Sequence, residues 1–375
     1  MSTSRRTFLA MAGSALAAGV VTERLRAQKR VAIKTVDEHI RELADRAPLS
    51  MRFQGKTVDE VLQWQKQFAA KLREMLGPHE PPKIWTTIVE RKVDLEDHRR
   101  EELILVAKGH PPLPVYLLLP KSDSKKLPGV LALHGHGAFG YDPVAGRDDL
   151  PDVAEAIERA NYDYGRQLVR RGYVVAVPCM TPFGRRLGDR DAYGRQDPCA
   201  ITFVRMQLLG KVLMAENLRD CLWAFEMLAR HARVDDGRMA CVGLSYGGRM
   251  TMLTSALEPR IRVAVPSGSL NVMQERVSVR YSCGAQVIPG LLQVGDVPEI
   301  GSLIAPRFCV WETGSNDSLI KADWAQEAVT RIRLAYRAHG VDDHLLLDQF
   351  EGGHRWSGKI AFPLLEKILK PDSSK

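Results

Sequence analysis

A mostly parallel α/β sheet flanked by helices is predicted, and three observations predict it. Short continuous apolar runs recur at residues 130–133, 173–177, 239–242, 261–265 and 308–311. Runs of that length suit strands buried on both faces, as a parallel sheet requires. Helical segments separate several of these runs, and an antiparallel block precedes them, which together describe helices packed on a central sheet.

The elements follow in order. Residues 36–47 and 57–76 read as amphipathic helices, and Gly77-Pro78 ends the second. Residues 77–83 form a Pro-rich connector. Residues 84–95, 102–107 and 115–119 carry β-branched residues and alternation, and read as antiparallel strands. The clearest helix spans 203–230, with apolar residues at 204, 208, 212, 218, 222, 225 and 228. A last strand spans 345–350. The expected organisation is therefore a targeting segment at 1–27, a helical segment with its connector at 28–83, and one large domain at 84–375.

Composition narrows the class. The chain has 375 residues, 45% hydrophobic and 26% charged, an ordinary globular balance. Four arginines and one glutamate lie in the first 27 residues, and the rest of the +8 formal charge is a mild +5. No Lys/Arg block interleaved with aromatics suggests a nucleic-acid groove. Ser4-Arg5-Arg6-Thr7-Phe8-Leu9 is a twin-arginine pattern, and the weakly apolar run 10–21 after it is too short for a comfortable membrane span. Export by the twin-arginine machinery is expected, to the periplasm or beyond, with cleavage near Ala27. Of the six cysteines, Cys241 and Cys309 fall in strands and Cys221 in a helix, which suits buried free thiols. Cys179, Cys199 and Cys283 fall in loops, where a pair could oxidise after export. No C-x-x-C spacing supports zinc.

Ligands of such sheets gather at the carboxyl ends of the strands. The run 239–242 leads into Gly243-Leu244-Ser245-Tyr246-Gly247, a G-x-S-x-G pattern, and then into the helical residues 249–257. Strand, sharp turn and helix present a serine hydroxyl at the tip of the turn, and the glycines flank it where side chains would clash. Other strand ends offer His134-Gly135-His136-Gly137, the arginine-rich stretch 179–197, Gly314-Ser315-Asn316-Asp317 and Glu351-Gly352-Gly353-His354. Ser, Asp and His then occur in the chain order of the α/β-hydrolase fold. Ser245 is the expected nucleophile and His354 its base. Asp317 orients the imidazole. Tyr246 and His136, with Gly137 beside it, are the expected oxyanion donors through their backbone N–H groups. His339 reads as a helix C-terminal histidine and His344 lies at the wrong end of its strand. No carboxylate or cysteine is spaced along the chain to join His134 and His136, so no metal and no cofactor are expected. In the stretch 179–197, Arg185, Arg186, Arg195 and Tyr193 are expected to meet a polar substrate, with Asp189, Asp191 and Asp197 as competing internal partners. Arg249 is expected on the helix surface.

The chain resembles the α/β-hydrolase superfamily. It is most similar to the bacterial branch of dienelactone-hydrolase-like or acetylxylan-esterase-like proteins. The resemblance rests on His134-Gly135-His136-Gly137, Leu209-Gly210-Lys211-Val212-Leu213, residues 243–248, Pro289-Gly290-Leu291-Leu292, residues 303–307 and residues 350–356. It runs from about residue 36 to the C-terminus. It implies the acid at Asp317 and the base at His354. Ser318 stands where a proline is usual, and Ser245 where dienelactone hydrolases proper carry cysteine, which argues against that substrate. The resulting expectation is a serine carboxylic-ester hydrolase acting through an acyl-enzyme on a small or carbohydrate-derived ester. A prolyl-oligopeptidase-like serine peptidase would need a propeller that the N-terminal residues cannot build. A catalytically silent binding protein on the same fold is the other alternative.

Overall fold

The computed structural model describes residues 33–194, 196–279 and 283–370. The twin-arginine segment and Arg195 lie outside the described residues. Among the described residues one sheet has nine strands: β1 (Thr86–Asp94), β2 (His98–Val106), β3 (Leu113–Pro120), β4 (Leu127–Leu133), β5 (Val174–Pro178), β6 (Val234–Leu244), β7 (Ile261–Ser267), β8 (Phe308–Gly314) and β9 (Leu345–Phe350). Their order is β1-β2-β3-β5-β4-β6-β7-β8-β9. β1, β2 and β3 pair antiparallel, as does β3 with β5, and every other neighbouring pair is parallel. Burial follows this order. β1, at the edge, is exposed along almost its whole length, whereas β3, β4 and β5 are buried throughout. The continuous apolar runs are thus the strands covered on both faces.

Helices cover both faces. The helices Val58–Leu76, Leu213–Ala229, Tyr246–Leu257 and Ala322–Ala338 bury their apolar sides in one core. The helices Tyr164–Arg170 and Ala361–Leu369 do so in the other. The helix Val58–Leu76 starts at a capping box, with Thr57 accepting from Glu60 N–H and Glu60 accepting from Thr57 N–H. Its Val61, Phe68, Leu72 and Leu76 share a core with Trp311 and Ile332, so this N-terminal helix belongs to the body of the sheet.

The expected helix 203–230 is two helices, Pro198–Leu208 and Leu213–Ala229, bent by 100° at the break. Apolar periodicity runs across the break and conceals it. Gly210, at φ +67°, takes a left-handed turn that closes the first helix. Val204, Leu208 and Leu209 are consequently exposed rather than core. The bend places Pro198–Leu208 against the turn Gly284–Gln286, with Phe203 packed on Gly284.

Candidate active site

β6 ends at Leu244, and Ser245 follows at φ +63° and ψ −119°, directly before the helix Tyr246–Leu257. Positive φ at a non-glycine residue persists only where the surroundings hold it. Here Ser245 N–H donates to Ser267 O at 2.8 Å, and Arg249 N–H donates to Ser245 O at 3.0 Å. A Cβ on Gly247 would overlap the Leu133 carbonyl of β4, so only glycine allows the helix this close to the sheet.

Asp317 and His354 leave the ends of β8 and β9, and the two loops are stitched together. Ser315 N–H donates to Phe350 O and Asn316 N–H to Gly352 O, both at 2.8 Å. His354 Nδ1–H donates to Asp317 Oδ2 at 2.7 Å. Asp317 Oδ1 is occupied separately by the N–H groups of Leu319 at 2.7 Å and Ile320 at 3.2 Å. The turn contacts of Asp317 and its contact with His354 therefore use different oxygens. His354 Nε2 is buried with no hydrogen-bond partner among the described residues. Ser245 and His354 line the same two cavities, of about 290 and 450 Å³.

His136 and Gly137 line the smaller cavity beside Ser245. Their loop is held by Tyr162, whose hydroxyl accepts Gly135 N–H at 2.7 Å. Tyr246 is fully buried, and its hydroxyl accepts from Asn217 Nδ2 at 2.7 Å. Asn217 also bonds both backbone groups of Thr181. Tyr162 and Asn217 were not legible as site residues. Asn217 stands among Glu216, Arg219 and Asp220, so nothing in its sequence neighbourhood singles it out. His134 is fully buried: Nδ1–H donates to Gly135 O at 2.8 Å and Nε2 accepts Met180 N–H at 2.9 Å. Burial pushes this imidazole down to about 4, so it is a neutral tie between the ends of β4 and β5. The rival histidines are placed as expected, with His339 at the end of its helix and His344 bonded to Pro306 O ahead of β9.

The arginine-rich stretch lies differently from expectation. Arg185 pairs with Glu90 at 2.6 Å on the exposed side of β1. Arg186 pairs with the buried Asp220, which Arg219 also binds at 2.8 Å. Tyr193 stacks near Arg205 and reaches Leu187 O. None of the three lines the cavities beside Ser245. Arg249 corrects the opposite expectation. Only 3% exposed, it lines the 450 Å³ cavity instead of the helix surface. The reason is that the helix Tyr246–Leu257 is buried nearly all round. Arg249 Nη2–H donates to Asn271 Oδ1 at 2.9 Å, and Nε and Nη1 have no hydrogen-bond partner among the described residues. Burial, with Arg276 nearby, pushes the guanidinium down to about 10, still charged at neutral pH. A mostly apolar cavity of about 480 Å³ lies beyond, and Arg249 and Gln286 line both it and the 450 Å³ cavity.

Two further features surround the site. Glu312, fully buried in β8, accepts the N–H groups of Ser357 at 3.2 Å and Gly358 at 2.8 Å, a few residues past His354. Asp348 takes Ser357 Oγ–H at 2.8 Å. Burial pushes the Glu312 carboxyl up to about 7 despite these donors. The second feature overturns an expectation. Cysteines do join His136: Cys199 and Cys283 converge on it from distant parts of the chain. Cys199 and the His136 ring hold the Cys283 thiol below its ordinary range.

The sheet order, the strained serine turn and the strand-end carboxylate and histidine define an α/β-hydrolase fold. The chain is 28% identical over 262 residues to YtaP of Bacillus subtilis (strain 168), described as a hydrolase, spanning 69% of this chain and 83% of that one. It is similar in structure to BF1801 of Bacteroides fragilis NCTC 9343, described as an acetyl xylan esterase. There the TM-score is 0.74 at 15% identity, over 92% of this chain and 97% of that chain. A glucuronoyl esterase from Solibacter usitatus gives a TM-score of 0.61 at 14% identity, over 84% and 93% of the two chains. No protein-family profile matches.

Proposed function

We propose that the protein is an exported serine hydrolase that cleaves carboxylic esters, carbohydrate-derived ones above all, through an acyl-enzyme. The observation that carries this reading is the His354–Asp317 pair, at 2.7 Å, with His354 lining the same cavities as the strained Ser245. Ser245 Oγ attacks the ester carbonyl carbon while His354 Nε2 takes its proton. Asp317 keeps Nδ1 protonated, so that Nε2 is the basic nitrogen, and then stabilises the imidazolium. The tetrahedral oxyanion is received by the Tyr246 N–H, which begins a helix and has no intrahelical acceptor, and by an N–H from His136 or Gly137. His354 returns the proton to the leaving alcohol. A water activated by the same nitrogen then releases the acid and restores Ser245. Two cavities meet at Ser245 and could take the acyl and alcohol parts of the substrate.

The ester class is supported by the names of the structural relatives and by the polar wall around Arg249. Among the described residues no carboxylate pairs with Arg249, so an electronegative substituent on the substrate would meet a charged, desolvated donor. A fluorophosphonate probe should label the wild type and not Ser245→Ala. p-Nitrophenyl esters and acetylated sugars should be hydrolysed in preference to aminoacyl-nitroanilides. Failure to label a folded wild type would leave the fold without this activity, and faster anilide cleavage would make it a peptidase. Export rests on the twin-arginine pattern: replacing Arg5-Arg6 by Lys-Lys should hold the protein in the cytoplasm, and unchanged periplasmic delivery would reject that route.

A further inference from the structure

His136, Cys199 and Cys283 belong to three separate segments: the loop after β4, the first turn of the helix Pro198–Leu208, and the residue before the turn Gly284–Gln286. A ring nitrogen of His136 and the two sulfurs lie within 4.8 Å of one another. Each has its own setting in the fold. Cys199 is the second residue of an 11-residue helix. Cys283 Sγ accepts the Ala285 N–H at 3.3 Å. His136 Nε2 is buried and has no hydrogen-bond partner among the described residues.

Three donors meeting in one place, one of them orphaned, ask for something that satisfies all three. A disulfide would use the two sulfurs and leave the histidine nitrogen as it is. We propose that His136, Cys199 and Cys283 bind a thiophilic divalent cation of the zinc type. Two thiolates and one imidazole are the soft and borderline donors that such an ion selects over magnesium or calcium. His136 and Cys283 line the 450 Å³ cavity, which supplies an entry path and leaves the fourth position to a water. Binding releases the two thiol protons to solvent and involves no change of oxidation state. The ion ties together the bent helix Pro198–Leu208, the turn Gly284–Gln286 and the loop that carries the oxyanion donors. Its role is to hold the wall of the pocket, and no step of ester hydrolysis passes through it.

The test uses the full mature chain without a histidine tag, reduced, stripped with a chelator and titrated with Co²⁺ and Zn²⁺. One Co²⁺ per chain should bind with a thiolate-to-metal charge-transfer band in the near ultraviolet, and Zn²⁺ should displace it and raise Tm. Cys199→Ser and Cys283→Ser should each weaken Zn²⁺ binding at least about tenfold and lose part of the band. His136→Ala, which keeps its backbone N–H, should weaken binding while retaining both thiolate contributions. Cys309→Ser, a buried strand thiol, should change nothing in the titration. The proposal is overturned by the absence of a thiolate band when thiol titration finds both cysteines reduced. It is equally overturned by a band that survives both serine substitutions, or by a Cys199–Cys283 disulfide in the exported protein. None of these readouts depends on esterase activity, so the two readings fail separately.

Discussion

Ser245, Asp317 and His354 each stand just past the carboxyl end of a strand, whereas Arg249 and Cys283 reach the 450 Å³ cavity from a helix interior and a turn, and Cys199 meets Cys283 and His136 from a bent helix. The first wall is built on the ends of neighbouring parallel strands that deliver one side chain each. The second is assembled from segments whose neighbours in the chain have no motif. Position along a strand determines what the first wall presents, so a short pattern suffices to find it. What the second wall presents depends on how loops pack on one another, and its polar groups are held by single contacts such as Arg249 to Asn271.

Substitutions can break this contrast or sharpen it. The largest effect is expected on the strand-end wall. His354→Ala should lose about three or more orders of magnitude in turnover. Asp317→Asn should lose somewhat less: the amide keeps an oxygen for Leu319 and Ile320 but turns an N–H toward His354 Nδ1, which disfavours the productive tautomer. If His344→Ala or His339→Ala is the dead variant, the strand-end account is wrong.

Next comes Arg186→Ala, on the arginine-rich stretch. It leaves the buried Asp220 with Arg219 alone, so folding stability should fall by about 3 kcal/mol or more, read by urea unfolding. A variant that keeps its stability but loses affinity for a sugar ester would place Arg186 in the pocket after all.

Glu312 tests how the His354 loop is held. Its carboxyl is raised from 4.5 to about 7, so the folded state binds its proton more tightly than the unfolded chain does. This contribution to stability is complete below about pH 4.5 and is lost as pH rises through about 7, amounting to about 3 kcal/mol at most. Glu312→Gln, which mimics the protonated form, should flatten that part of the stability–pH curve. An unchanged slope between pH 5 and 8 would mean that Glu312 is ionised throughout.

On the second wall, Arg249→Met should lower kcat/KM for an acetylated sugar or a uronate ester by about 10- to 100-fold, the loss of one charged hydrogen bond, while sparing a plain alkyl ester. Equal loss on both substrates would make Arg249 a packing residue. Arg185→Ala should do least. Its pair with Glu90 is half-exposed, and both stability and activity should stay within about 0.5 kcal/mol of wild type.

The sequence by itself determined the sheet, the strand-end places of Ser245, Asp317 and His354, and the glycines around Ser245. Each of these is a local matter of strand burial or backbone clearance, written in residues a few positions apart. The extent of the helix after residue 197 was not legible, because apolar spacing runs through the break and only Gly210 turns the chain. Nor were the places of the arginines, since a guanidinium on a long stem goes wherever a carboxylate or a cavity meets it. Tertiary structure alone decided that Arg186 meets Asp220, that Arg249 is buried, and that Cys199 and Cys283 come to His136. Those encounters join residues 34 to 147 positions apart, and no spacing rule along a chain reports contacts made by packing in three dimensions.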